Sequence, residues 1–169
     1  MKLLYHVKHW DGKDIEFLIN TYDHYSADAG FHEDVLQSLR LTDRHQSAAS
    51  WLLRRSLQRG YKPKTDDANS IYLALTACTS WEAQLNLLQC MDLLDVPVYA
   101  RSALEKYLRE ALTHSNKFVR AWAYNGFYEL ARQYPELRDE ALQIMEMGAR
   151  DEPASVKARI RNALKKPYG

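Results

Sequence analysis

Strand signals are nearly absent from this chain of 169 residues, which has few β-branched runs and no hairpin turn between alternating segments. A sheet is thereby excluded as the basis of the fold. No apolar stretch approaches the length that crosses a bilayer. The opening MKLLYHVKHWDG lacks the apolar run of a signal peptide, because His6, Lys8 and His9 interrupt it. The default expectation is a cytoplasmic protein with no membrane partner. Cysteine is scarce: Cys78 and Cys90 both lie in apolar helical contexts and are expected to be reduced core thiols. The phosphate-binding glycine loop, the dinucleotide fingerprint, the zinc helix with paired histidines and the serine nucleophile elbow are all missing. No enzyme and no cofactor are therefore expected.

Net charge is also small, at +1, so the whole molecule has no electrostatic commitment to a polyanion. Its charges are nevertheless banded along the chain. Arg44 to Lys64 holds six basic residues and no acid, whereas Thr65 to Ala100 holds five acids and no lysine or arginine. After Glu152 come Lys157, Arg159, Arg161, Lys165 and Lys166, again without an acid. The closest histidine sets are His6 with His9, and His24 with His32 near Asp23, Asp28 and Glu33. Their spacings do not repeat a metal-ligand geometry, and surface histidines are expected.

What is present is helix punctuation. Asp14, Ser26, Asp43, Thr65, Ser80 and Asn116 are candidate N-caps. Pro97, Pro135 and Pro153 each precede an amphipathic run and suit a first helical turn. The pattern predicts helices near 13–24, 31–41, 44–60, 67–78, 81–94, 98–113, 117–133, 135–149 and 154–166. Short connections then force neighbours antiparallel.

A period runs through these helices. Aligned on Ala49, Ala83, Val119 and Val156, the second helix of each pair recurs every 34, 36 and 37 residues. Four positions on stand Leu53, Leu87, Ala123 and Ile160; seven on stand the small Ser56, Cys90, Gly126 and Ala163; eight on stand the large Leu57, Met91, Phe127 and Leu164. Those offsets form one stripe of a helix, with a small residue beside a large one as close stacking requires. The preceding helices agree through Ile71, Tyr107 and Ile144, then Tyr72, Leu108 and Met145. Gln37 and Ser38 fit poorly, as expected of a repeat at one end.

The stretches NKFVRAWAYNGFYELA and DEPASVKARIRNALKK resemble the second helix of HEAT repeats, in which an Asp or Asn precedes Val-Arg or Val-Lys and later apolar residues. Asn116, Val119, Arg120, Ala123 and Leu130 match in the third repeat, and Asp151, Pro153, Val156, Lys157 and Leu164 in the fourth. Ala83-Gln84 and Ala49-Ser50 depart from the pattern. The resemblance implies an all-α fold over 1–169, a short right-handed α-solenoid of about four helix pairs at about 31–60, 66–95, 97–133 and 135–166. It also implies a scaffold or adaptor rather than an enzyme.

FVRAWAYNGFYELA holds five aromatic rings in one helical run, most of them on or beside the apolar face. Asn125 and Tyr128 fall on the side facing away from it. In the same two columns stand Arg55, Gln89, Asn162 and Lys165. Amides and a phenol can bond an extended backbone while adding apolar contact. A protein or peptide partner is therefore expected along Arg55, Gln89, Asn125, Tyr128, Asn162 and Lys165, and Asn125→Ala is expected to cost less than about 1 kcal/mol. The alternative is nucleic acid held by the basic first and last repeats. Some HEAT-like proteins are DNA glycosylases, and Asp92 is the acid in the matching columns. The phase itself yields a test. Gly126→Leu should lower unfolding free energy by several kcal/mol in denaturant titration, since overpacking a close helix contact forces backbone shifts.

Overall fold

The computed structural model describes residues 2–41 and 43–168, residue 43 by its backbone alone. Among the described residues there are ten α-helices, two short 3₁₀ turns and no strand. The helices are α1 (Lys2–Val7), α2 (Ile15–Tyr25), α3 (Phe31–Ser38), α4 (Asp43–Gln58), α5 (Thr65–Ala77), α6 (Trp81–Gln89), α7 (Val98–Ala111), α8 (Lys117–Gln133), α9 (Arg138–Asp151) and α10 (Ala154–Leu164). The all-helical expectation holds. The single repeat domain expected over 1–169 is divided into two compact units, residues 1–94 and 95–169, with the boundary between the second and third expected repeats.

Helix starts follow local chemistry. Asp14, Ser80 and Asn116 accept backbone N–H groups of the first turn, as their side chains predict. Ser26 does not: it closes the C-terminal end of α2, its own N–H bonding the Tyr22 carbonyl. Thr65 is the first residue of α5 rather than its cap. The Asp43 side chain lies outside the described residues. Gly60 ends α4 at φ 96°, where the Gly60 N–H bonds Leu57 O and the Tyr61 N–H bonds Ser56 O. A left-handed residue is what this paired closure requires.

In the first unit α4 is the central helix, packed on α1, α2, α3 and α6. Helix α1 lies outside the expected set. Its pattern is broken by polar residues, yet Leu3 and Val7, one turn apart, are both buried. Buried polar groups join the loops. Gln46 Nε2 donates to Leu39 O at 2.9 Å, Cys78 Sγ donates to Gln46 Oε1 at 3.1 Å, and Gln84 Nε2 donates to Cys78 O at 2.8 Å. Between α4 and α6, Asn86 Nδ2 donates to Ser50 Oγ at 3.2 Å, and Arg54 donates to Gln89 one turn further along both helices. The two helices therefore run parallel.

In the second unit α8 takes the central place, packed on α7, α9 and α10. Here too the alternate helices run parallel. The Arg159 guanidinium lies 4.0 Å from the Trp122 ring centroid, and Lys166 Nζ lies 2.6 Å from Glu129 Oε1, both pairs 37 residues apart. The entry to α7 is clamped to the end of α8: Val96 N–H donates to Gln133 Oε1 at 2.8 Å, and Gln133 Nε2 and Tyr134 OH donate back to Val96 O at 2.7 and 2.8 Å.

The column residues occupy the core. Ala49, Ala83, Val119 and Val156 are buried, as are the residues four and seven positions on. In the column eight on, Leu57, Met91 and Phe127 are buried, but Leu164 is 42 % exposed. Among the described residues no helix follows α10 to cover that flank. Asn125-Gly126, a pair that elsewhere turns hairpins, sits buried in mid-helix because the small-residue column overrides its turn preference.

Gly148 marks a close helix approach in the second unit. A Cβ placed there would lie 2.6 Å from both Ile160 Cδ1 and Tyr124 Cε1, so α9 meets α10 and α8 with no room for a methyl group. Gly148→Ala should therefore destabilise the protein by about 1–3 kcal/mol. Urea titration should show a lower midpoint with an unchanged slope. A stabilised variant would mean that the ring and the isoleucine yield freely, contrary to this packing.

Candidate functional site

Helix α8 is held in register from its first turn. Asn116 Oδ1 accepts the Phe118 and Val119 N–H groups at 2.8 and 3.4 Å. Arg120 Nη1 donates back to His114 O at 2.9 Å and Ser115 O at 3.3 Å, while its Nε donates to the Glu152 carboxylate at 3.2 Å. Tyr124 OH donates to the same carboxylate at 3.3 Å. Burial, then the Glu152 charge, pushes the Tyr124 phenol up to about 12. One arginine thus ties the α7–α8 loop to the α9–α10 loop, which sets the phase of α8 and decides which residues face outward.

The outward side of α8 is not open. Asn125 is 0 % exposed and Tyr128 3 % exposed, where the helical phase predicts solvent. Residues 166–168 lie over them. Tyr128 OH donates to Lys166 O at 2.8 Å, and Arg132 Nε donates to Pro167 O at 2.9 Å. Lys166 Nζ donates to Glu129 Oε1 at 2.6 Å and to Asn125 Oδ1 at 3.4 Å. The Tyr168 ring rests 4.7 Å from the Tyr128 ring, with the Arg138 guanidinium 4.8 Å from its centroid. The near-neutral cost expected for Asn125→Ala is corrected accordingly. Deleting a buried amide bonded to a lysine costs about 1–3 kcal/mol.

Of the other expected site residues, Asn162 and Lys165 are exposed on and just after α10, and Lys165 Nζ lies 3.4 Å from Asn162 Oδ1. In the first unit Arg55 is half-buried, its guanidinium 5.9 Å from the Tyr22 ring, and Gln89 accepts from Arg54. Those two residues belong to different local contacts. The second unit brings together a set only partly foreseen: Asn125, Tyr128, Glu129, Arg132 and Arg138 around Lys166, Pro167 and Tyr168. One signal could have found its centre. Glu129 and Lys166 share the position ten beyond the anchors, so an acid meets a base at one repeat's spacing.

Elsewhere the side chains offer little reactive chemistry. His6 stacks on Phe17 at 4.8 Å and His32 on Tyr61 at 3.6 Å, and burial lowers the pKa of each ring. Among the described residues no three His, Cys, Asp or Glu side chains gather as a metal-binding group. A cleft of about 480 Å³ lined by Leu39, Arg40, Leu41, Gln46, Leu73 and neighbours contains no carboxylate or imidazole. Cys78 and Cys90 are free and buried, and burial pushes their thiols up to about 11 and about 12. No helix of the described residues is long and apolar enough to cross a membrane. No protein-family model matches the chain, and neither does any curated protein or solved structure.

The phenols give the site a pH signature. Burial, with Tyr128 adding to it and Arg138 opposing, pushes the Tyr168 phenol up to about 12. In the unfolded chain Tyr124 and Tyr168 ionise near the ordinary 10.0, so folding favours their protonated forms. That contribution to stability is whole below pH 10 and is lost as pH rises from 10 to about 12. Ultraviolet titration should show Tyr124 and Tyr168 among the late-ionising phenols, alongside Tyr61 and Tyr134, which burial also pushes up. Tyr124→Phe and Tyr168→Phe should each remove one and flatten the alkaline fall in stability. An unchanged titration in either variant would refute the assignment.

Proposed function

We propose that this chain is a non-enzymatic, HEAT-like protein-binding module of the cytoplasm that holds an extended segment of a partner against the outward side of its second helices. The HEAT-like reading is supported by the parallel stacking of α4 with α6 and of α8 with α10, at separations that match the sequence period. The function rests on one observation. The outward side of α8 already carries a non-helical stretch of chain, residues 166–168, through two backbone carbonyls, with Tyr128 and Arg132 as donors. Backbone contacts supply affinity that does not depend on side-chain identity, and flanking side-chain sites supply selectivity.

Electrostatics favours protein over nucleic acid at this strip. Glu129 lies at its centre, mostly buried, and receives Arg132 at 2.8 Å and Lys166 at 2.6 Å. Both cations are thus directed at that carboxylate rather than out towards a phosphate backbone. Several residues of the basic bands are also engaged within the fold: Arg54 with Gln89, Arg55 against Tyr22, Arg159 against Trp122 and Lys166 with Glu129. A continuous positive stripe is what a backbone-tracking protein needs.

The test is a pull-down from source lysate with and without nuclease, using the native protein and a Tyr128→Phe, Arg132→Ala double variant. A protein retained after nuclease is expected, and the double variant should bind it more weakly by about 2 kcal/mol, roughly thirtyfold. Raising salt should weaken that binding only modestly. Loss of every bound protein on nuclease treatment would hand the function to nucleic acid. So would a duplex affinity falling ~10³-fold between about 50 and 200 mM salt.

A further inference from the structure

Residues 166–168 do more than cover α8; they display the chemistry that the strip accepts. Four contacts define it. A lysine ammonium enters between Glu129 and Asn125, at 2.6 and 3.4 Å. Its own carbonyl accepts from Tyr128 OH at 2.8 Å. The following carbonyl, that of a proline, accepts from Arg132 Nε at 2.9 Å. An aromatic ring then settles between the Tyr128 ring and the Arg138 guanidinium, at 4.7 and 4.8 Å.

Each contact restricts the ligand in a different way. The ammonium is selected because the Glu129 carboxylate is largely shielded from water, and an acid placed there would be repelled. Proline lacks an N–H and is biased towards extended backbone, so it presents its carbonyl without an unsatisfied donor. The ring is selected by stacking on one side and by cation–π attraction on the other.

On the reading that this strip binds an extended protein segment, we propose that the cradle formed by Asn125, Tyr128, Glu129, Arg132 and Arg138 recognises a Lys-Pro-aromatic segment of another protein, and that residues 166–168 are its built-in competitor. A partner binds only the fraction of molecules whose own segment has lifted. Its apparent affinity is therefore lowered by that fraction, and weakening the segment through its own side chains, with the cradle intact, raises it.

The probe is a fluorescent peptide of sequence Leu-Lys-Lys-Pro-Tyr-Gly, copied from residues 164–169. Fluorescence anisotropy would follow its binding to the full chain. Weak binding to the native protein is expected. Binding at least tenfold tighter is expected for a Lys166→Ala, Tyr168→Ala variant, in which the segment has lost its ammonium and ring. Adding Tyr128→Phe and Arg132→Ala should abolish that gain, and a peptide with both lysines replaced by glutamate should not bind.

Amide exchange on the native protein serves if the released variant folds poorly: saturating peptide should speed exchange of the Lys165, Lys166 and Tyr168 amides several-fold. No binding to a folded released variant would overturn the proposal, as would equal affinity for both forms or, where that variant does not fold, unchanged exchange in the native protein. A dimer that forms on concentration and is lost in Tyr168→Ala would also overturn it, by assigning the cradle to a second copy. These failures are separable from failure of protein binding itself. If the pull-down still retains a partner through Tyr128 and Arg132 while the peptide does not bind, the binding function stands and only the ligand chemistry falls.

Discussion

The missing side chain at Gly148 is the constraint on which the second unit rests. It lets the Tyr124 ring lie directly against the α9 backbone, at a distance that any Cβ would violate. From there the Tyr124 hydroxyl reaches Glu152, which receives Arg120, which in turn binds two carbonyls of the loop entering α8. Contact distance, loop geometry and helix phase are thus set by one chain of dependence. Rotate α8 by a single residue, and Tyr128, Glu129 and Arg132 would no longer face residues 166–168.

Much of this fold is legible in the sequence because packing is periodic. Positions four and seven beyond each anchor must be buried if helices stack in register, and they are. The same reasoning fails where periodicity stops. Leu164 obeys its column yet remains exposed, because burial needs a neighbour as well as an apolar residue. Helix α1 escapes notice because Lys2, His6 and Lys8 dilute a pattern carried by only two buried residues. Gly148 stands in a first helix, where the columns agree less closely, and no local pattern distinguishes it from an ordinary glycine.

The site was legible in its helix and misread in its exposure. A helical wheel separates the side that faces the core from the side that does not, and it placed Asn125 and Tyr128 correctly in that sense. It says nothing of chain arriving from 38 or 41 residues away to lie over them. Charge was misleading for a related reason. Lys166 belongs to a basic band in sequence, but in space it neutralises Glu129. Composition counts ionic groups, whereas the fold decides which of them still present a field to a partner.

The Gln133 clamp has a mechanical corollary. Its amide imitates a paired backbone, donating to and accepting from Val96, while Tyr134 adds a second donor to the same carbonyl. Residue 96 lies ahead of the first turn of α7 and is bonded to residues that follow thirty-odd positions later. Tension applied along the chain from residue 95 is therefore borne by these three hydrogen bonds and passed to the end of α8. The first turn of α7, which has no side-chain cap of its own, is shielded from the load. Gln133 and Tyr134 together act as a strain relief for the unit.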